Sequence, residues 1–219
     1  MGEVAWRSAT TPEKRWPGAL ALAAIIVAQL ALPSDLTIQP GWALPAVEAI
    51  LLAALVAVSP TRVSGTKPAR TLGLAICALA TVANGASCVL LINDLVSGQV
   101  GQAGPMLLAG GTIWATNIVV FSLWYWELDR GGPAKRAAGT HPEPDFLFPQ
   151  MTQIEPGHDP NWEPRYFDYL YVAFTSATAF SPTDTMPLTR WAKALMMCQQ
   201  IISLATIVLI VARAISLLG

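Results

Sequence analysis

The amino-acid sequence predicts an all-α, polytopic membrane protein with five to six membrane-embedded helices, one of them short and either broken or re-entrant. Apolar residues make up 53% of the 219 residues and charged residues only 12%, which is unusual for a soluble globule. The apolar residues also fall in largely uncharged runs, which meet or approach the roughly 20 residues that a helix needs to cross a bilayer. The runs cover residues 18–32, 42–58, 72–92, 106–126 and 194–218.

These runs divide the chain into four parts. Residues 1–16 precede the first helix, residues 17–127 hold four helices in two hairpins, and residues 165–219 form a C-terminal unit. Residues 128–164, between them, are rich in proline, glycine and charge, which is typical of an extramembrane linker with little regular structure. We expect the apolar patch "DFLFP" in this linker to dock on the membrane domain or to dip into the membrane interface.

Basic residues lie in alternate connections between the helices. They occur before the first helix, between the second and third helices, and after the fourth, whereas the other two connections contain none. By the positive-inside rule, this pattern predicts a protein of the cell membrane whose N-terminus and 128–164 linker are cytoplasmic. The residues concerned are Arg7, Lys14, Arg15, Arg62, Lys67, Arg70, Arg130, Lys135, Arg136 and Arg165.

The stretch "TSATAFSPTDTMPLTR", residues 175–190, interrupts the apolar pattern just before the last run. Its prolines remove backbone donors, and unpaired backbone groups in hydrocarbon cost several kcal/mol, so this break must be buried in protein or face water. A carboxylate at membrane depth is a functional candidate, which makes Asp184 the first residue of interest. The alternative is that Asp184 caps the last helix or pairs with Arg190 or Lys193.

The residues around this break follow an order that is known from one family. The segment resembles the pore module of the potassium-channel superfamily, in which a short pore helix leads into a filter of the TVGYG type, then an aspartate, a proline and the inner helix. The resemblance covers about the last 55 residues. The pore-helix positions are Asp168, Tyr171, Phe174 and Thr178, the five filter positions are Ala179, Phe180, Ser181, Pro182 and Thr183, and the following positions are Asp184, Pro187 and Thr189.

The centre of the filter departs from the family pattern. Ser181 and Thr183 replace both glycines, whose backbone angles other residues resist, and Pro182 replaces the tyrosine. The usual potassium selectivity is therefore not expected, while the resemblance still implies a filter-like segment over residues 178–184, a homotetramer and an ion as ligand. The chain also resembles a group of uncharacterised bacterial integral membrane proteins with four helices, a polar linker, an Asp-containing break and a last helix.

Two topologies agree with the charge pattern. If residues 166–188 re-enter from the cytoplasmic side, five helices span the membrane and 12 of the 13 basic residues lie inside. If the same residues cross as a broken sixth span, Asp184 lies near the outer face and 11 of 13 lie inside. The second keeps the channel family's direction for the last helix and is slightly favoured.

Other polar residues fall within the predicted spans. Glu48 lies about two turns into the second helix, where a pathway role and a buried pairing are equally plausible. Gln200, Ser203 and Thr206 recur near helical spacing on the last helix, as a stripe that would line a pore or bond to neighbouring helices.

The sequence lacks features of several other functional classes. A net charge of -1 with scattered basic residues argues against a nucleic-acid partner. The motifs of hydrolases, zinc proteases and phosphate-binding loops are missing, so no enzymatic activity, cofactor or metal is expected. Two hypotheses follow: a channel-like protein in the lipid bilayer that conducts an ion, or a non-conducting membrane scaffold or partner-binding subunit that keeps the pore-module fold.

Overall fold

The chain is helical along most of its length, which confirms the predicted all-α class. The structure is a computed structural model that describes residues 5–63, 65–97, 103–141, 143–152, 159, 161–179 and 184–218, with backbone only at 103, 179 and 213–218. The helices in these ranges are α1 Trp16–Ala31, α2 Ala43–Val58, α3 Lys67–Ser97, α4 Ala103–Leu128, α5 Pro133–Ala137, α6 Pro149–Thr152, α7 Tyr166–Ala179 and α8 Arg190–Leu218; the strands are β1 Phe146–Leu147 and β2 Met186–Pro187.

Prolines set many of the helix boundaries. Pro17 occupies the first turn of α1, where its missing N–H costs no intrahelical bond, and Pro33 follows the end of that helix. Two bonds cap the start of α7, since the backbone N–H of Arg165 donates to Asp168 Oδ2 at 2.7 Å and the Asp168 N–H donates to the Arg165 carbonyl at 2.9 Å. This cap fixes where the short helix before the break begins.

Three helical segments are long and apolar enough to cross a membrane. They are Lys67–Ser97, Gly104–Gly131 and Arg190–Ala212, the second of which extends α4 by one 3-10 turn. The apolar helices α1 and α2 have 16 residues each, or about 24 Å of length, which is less than a hydrocarbon core of about 30 Å. The count of five to six membrane-embedded helices stays a prediction.

Helix α4 occupies the centre of the fold. It contacts α1, α3, α7 and α8, and its buried residues include Ile113, Asn117 and Tyr125, each with no exposed surface. The α2 helix packs on α1 and α3 at the periphery. The short helix α7 therefore packs against the most buried of the three long apolar helices.

The 128–164 connection packs against the helices and contains short regular elements. A 3-10 turn covers Asp129–Gly131, and α5, β1 and α6 follow. Phe146 and Phe148, from the "DFLFP" patch, are buried among aromatic side chains, with ring centroids 6.4 and 5.4 Å from that of Tyr169. Of the two expectations for this patch, its contacts match docking onto the helices.

Candidate functional site

The segment that resembles a pore helix begins beside the C-terminal end of α4. The Tyr166 hydroxyl lies 2.9 Å from Ser122 Oγ on α4, and the Tyr166 backbone N–H donates to Glu13 Oε1 at 3.0 Å. The Tyr169 hydroxyl donates to Asp129 Oδ2 at 2.5 Å, just past the end of α4. These contacts hold the first turn of α7 at that end of the molecule.

The chain comes back to the same end before α8 begins. Strand β2 pairs antiparallel with β1, with Phe146 opposite Pro187. Two further bonds hold the return, since Leu188 N–H donates to the Asp145 carbonyl at 2.8 Å and Trp191 Nε1 donates to Asp145 Oδ1 at 3.0 Å. Asp145 in turn donates its own N–H to Asp129 Oδ1 at 2.9 Å. Both flanks of the break therefore lie beside the end of α4.

Asp129 joins the two flanks, and we call Asp129, Arg130, Arg136, Asp145 and Tyr169 the junction. Asp129 has no exposed surface, and its two carboxylate oxygens accept from the linker and from α7. Arg130 donates its backbone N–H to Asp145 Oδ2 at 2.8 Å, and the Arg136 guanidinium lies 4.9 Å from the Tyr169 ring centroid. A buried carboxylate that loses its donors costs free energy of folding. The junction therefore holds the start of α7 and the linker in a fixed position beside the end of α4.

A second charged group lies beside the junction, around Glu127. The carboxyl of Glu127 lies near the guanidinium groups of Arg15, Arg70 and Arg136. Arg70 donates to the backbone carbonyl of Gly131. Gly132 has a φ of 100°, and a side chain there would collide with the Arg70 guanidinium, so glycine is required at this turn.

The C-terminal half of α7 is hydrogen-bonded to α8. Gln199 donates from Nε2 to the Ala173 carbonyl at 2.7 Å and accepts at Oε1 from the Tyr125 hydroxyl at 2.5 Å. Gln200 Nε2 donates to Ser176 Oγ at 3.1 Å. Gln200 is ten residues past the start of α8, or about 15 Å along its axis, about half of a 30 Å hydrocarbon core. Helix α7 therefore extends beside about the first third of α8, which has 29 residues or about 44 Å of length.

The predicted polar stripe on α8 turns towards neighbouring helices. Ser203 Oγ accepts from Asn117 Nδ2 of α4 at 2.9 Å, and Thr206 Oγ1 lies 3.5 Å from Cys88 Sγ of α3. Both Ser203 and Thr206 have no exposed surface, whereas Gln200 is half-buried. These contacts are the inter-helix bonds that the sequence offered as the alternative to a pore lining.

The filter-like residues are described only at their two ends. Thr178 is exposed and donates its hydroxyl to the Phe174 carbonyl at 2.9 Å, which is a bond within α7. Asp184 is also exposed, on the returning strand side of the break. Phe180, Ser181, Pro182 and Thr183, with the side chain of Ala179, lie outside the described residues.

Glu48 is completely buried and has a partner. Gln29 of α1 donates from Nε2 to both carboxylate oxygens of Glu48 on α2, each at 3.1 Å. A buried carboxyl close to one amide is the buried pairing that the sequence offered beside a pathway role. Glu48 belongs to the α1–α2 pair and is bonded to neither α7 nor α8 in these contacts.

Sequence reasoning did not single out Gln199 or the junction as functional residues. Gln199 lies beside the predicted stripe on the last helix, four of the five junction residues lie in the predicted extramembrane linker, and Tyr169 lies in the predicted C-terminal unit. The signal for the junction was the run "WYWELDRGG", where a buried aromatic helix end meets three charges and two glycines.

No protein-family model, no curated protein and no solved structure matches this chain. The likeness to the potassium-channel pore module therefore rests on the residues around the break and on their order.

Proposed function

We propose that the protein is an integral membrane protein in which residues 166–188 form a re-entrant segment. The observation that carries the proposal is the position of the two flanks: Tyr166 contacts Ser122 of α4, and Leu188 bonds to Asp145, which in turn bonds to Asp129 just past the end of α4. A segment that crossed the membrane would place its ends about 30 Å apart. Of the two topologies that agree with the charges, this geometry favours re-entry over a broken sixth span.

We propose further that this segment serves ion passage in an assembly of several copies, with four as the number that the resembled family implies. Non-helical backbone at membrane depth is tolerated where it lines a water-filled cavity, and a short helix that packs between α4 and the first third of α8 suits that role. Thr178 and Asp184 are exposed on the single chain and are available to such a cavity. The replaced filter residues argue against the usual potassium selectivity.

One observation favours a second function, that of a non-conducting scaffold or partner-binding subunit. The polar stripe residues Ser203 and Thr206 are buried against other helices, whereas the open side of α8 is apolar. A stripe that is already bonded inside one chain does not line a pathway. The exposed apolar residues of α8 include Met197, Ile201, Leu204 and Val208.

Ion flux into liposomes separates the two functions. The purified protein is reconstituted, and flux of K⁺, Na⁺, H⁺ and Cl⁻ is measured under varied voltage and pH for the wild type and Asp184→Asn. Conduction predicts flux above empty liposomes and a changed rate or ion preference in the variant. Asp35→Asn is the matched control, since Asp35 is an exposed carboxylate outside the segment. Flux equal to that of empty liposomes in all proteins overturns conduction and leaves the scaffold function.

Cysteine labelling tests re-entry itself. In a Cys198→Ala background, single cysteines replace Ala138 in the linker and Leu188 after the break, both of which are exposed. Re-entry predicts that an impermeant thiol reagent labels the two positions from the same side of the membrane. Labelling from opposite sides would establish the broken sixth span, and the side itself checks the cytoplasmic assignment.

A further inference from the structure

A groove of about 630 Å³ opens between the starts of α1 and α7. We call it the α1–α7 groove. This volume lies within the range of ligand sites, roughly 300–1,000 Å³. Its lining combines two kinds of side chain, cations and large apolar groups. The cations are Lys14, Arg62 and Arg165, and the apolar residues include Trp16, Leu20 and Phe167.

The apolar half of the groove is open to the surroundings. Trp16 is 62% exposed, Leu20 63% and Phe167 74%. Trp16 stands at the first residue of α1, the level at which tryptophan rings occupy the membrane interface. A small soluble anion would leave these three side chains uncovered, so the groove suits a ligand with an apolar portion.

The cationic half carries a net positive charge, because its three cations face the single negative charge of Glu13, the acidic residue of the lining. Neutral donors hold the Glu13 carboxylate in place, since Oε2 accepts from Trp126 Nε1 at 2.8 Å and Oε1 from the Tyr166 backbone N–H at 3.0 Å. Arg62 donates to the neutral carbonyl of Pro12 at 2.7 Å. Arg165 pairs with Glu163 at 3.2 Å, but this bridge is at the surface and its Arg side chain is 66% exposed, where such bridges contribute little.

The chain itself sets the distance between the cations. Backbone bonds between residues 13–15 and 61–63 form a bridge from Lys14 to Arg62, including Val63 N–H to the Glu13 carbonyl at 2.9 Å. The cap on α7 orders Arg165, whose backbone N–H bonds to Asp168. Two cations thus lie on the bridge and the third stands across the groove at the start of α7.

We propose that the α1–α7 groove binds an anionic phospholipid, with its phosphate headgroup at Lys14, Arg62 and Arg165 and an acyl chain along Trp16, Leu20 and Phe167. A zwitterionic lipid supplies its own cation beside the phosphate and gains less from three basic side chains, whereas an anionic one complements both halves. The inference rests on the proposed membrane location and is independent of ion conduction.

Native mass spectrometry of the detergent-purified protein tests the lipid site. The protein is mixed with equal amounts of phosphatidylglycerol and phosphatidylcholine that carry the same acyl chains, and the bound lipids are counted. The wild type is expected to retain the anionic lipid about tenfold over the zwitterionic one. The variant Lys14→Gln/Arg62→Gln/Arg165→Gln is expected to bring this ratio close to one.

A control variant removes the same charge elsewhere. Lys67→Gln/Arg190→Gln/Lys193→Gln changes three exposed cations outside the groove and should keep the wild-type ratio. An equal loss of selectivity in the two triple variants would show attraction by overall charge and would overturn the groove site. A wild-type ratio near one would also overturn it.

Apolar substitutions test the other half of the groove. The variant Trp16→Ala/Leu20→Ala/Phe167→Ala is expected to bind several-fold less of the anionic lipid, while glycerol phosphate at millimolar concentration should not displace the lipid from the wild type. Displacement by that soluble headgroup would show an anion site without acyl-chain binding and contradict the proposal. Extraction of cell membranes with alkaline carbonate tests the membrane location separately. A failure of the lipid site can therefore be distinguished from a failure of the proposed membrane location.

Discussion

The α4–α7–α8 side of the molecule and the α1–α2 side hold their helices together by different means. On the first side, Gln199 connects Tyr125 of α4 to Ala173 of α7, and Asn117 of α4 reaches Ser203 of α8. On the second side, Gln29 of α1 donates side-chain hydrogen bonds to Glu48 of α2. Lipid tails are as apolar as leucine, so packing and inter-helix hydrogen bonds, rather than burial alone, decide how membrane helices meet.

This difference shows that the protein fixes the position of α7 more closely than that of the α1–α2 pair. Helix α7 is short and is followed by a break, so it cannot hold its position by its own length. The junction holds the first turn of α7 through Tyr169, and Gln199 and Gln200 form hydrogen bonds with the C-terminal half of α7. In the α1–α2 pair, the hydrogen bonds from Gln29 to Glu48 join two helices that each have 16 residues.

The largest loss is expected from Asp129→Ala, because it leaves the Tyr169 hydroxyl and the backbone N–H groups of Asp145 and Phe146 without their acceptor. Removing one partner from a buried, charged network costs about 3–5 kcal/mol. SDS-induced unfolding in mixed micelles measures the free energy. Asp35→Ala, at an exposed carboxylate, should change it by less than about 0.5 kcal/mol. A loss below about 1 kcal/mol for Asp129→Ala would mean that the junction does not hold the α7 flank.

A smaller loss is expected from Gln199→Leu, which keeps the volume and removes the bonds to Tyr125 and Ala173. Each inter-helix hydrogen bond in a membrane contributes about 0.6–2 kcal/mol, so we expect about 1–3 kcal/mol in the same assay. Gln200→Leu is the matched control, since Gln200 is half-buried and makes a single bond to Ser176. Equal losses for the two glutamines would remove the special position of Gln199.

The α1–α2 pair should respond asymmetrically to its two partners. Gln29→Leu leaves the buried Glu48 carboxyl without its donor and is expected to cost about 1–3 kcal/mol. Glu48→Gln replaces the carboxyl by a neutral amide that can still bond to Gln29, so its change should lie within about 1 kcal/mol. Thermal unfolding in detergent ranks the two variants. A larger loss for Glu48→Gln would show that the carboxylate charge has a partner besides Gln29.

The smallest effect on stability is expected from Asp184→Asn, because Asp184 is exposed and surface substitutions stay within about 0.5 kcal/mol. The ion flux through this variant, measured in liposomes as described above, is the more informative measurement of its role. A strongly destabilised Asp184→Asn would indicate that the carboxylate is structural, and any change in its flux would then say nothing about a pathway.

Several elements could be read from the sequence because they depend on local chemistry. The apolar runs predicted the positions of α1 to α4 and of α8, since helix formation and apolar length are properties of consecutive residues. The prolines and hydroxyls of residues 175–190 predicted an interruption before the last helix, and α7 does end at Ala179. The last helix and the break before it can therefore be predicted from the sequence alone.

The partners of the buried polar residues could not be read in the same way. Ser203 and Thr206 have the spacing of a stripe, but whether a stripe faces a pathway or another helix depends on the rotation of α8 against α4. Glu48 likewise gave no indication that Gln29, 19 residues earlier, would be its donor. These pairings depend on how helices distant in sequence pack.

The helical class, the order of the helices and the place of the break therefore follow from the sequence, because each depends on the polarity and backbone preferences of neighbouring residues. Three features depend on tertiary packing: the linker packs on the helices, Asp129 joins both flanks of the break, and α7 begins and the chain returns at one end of α4. The reason is physical: Asp129 and Tyr169 are 40 residues apart, and only packing in three dimensions brings their side chains together.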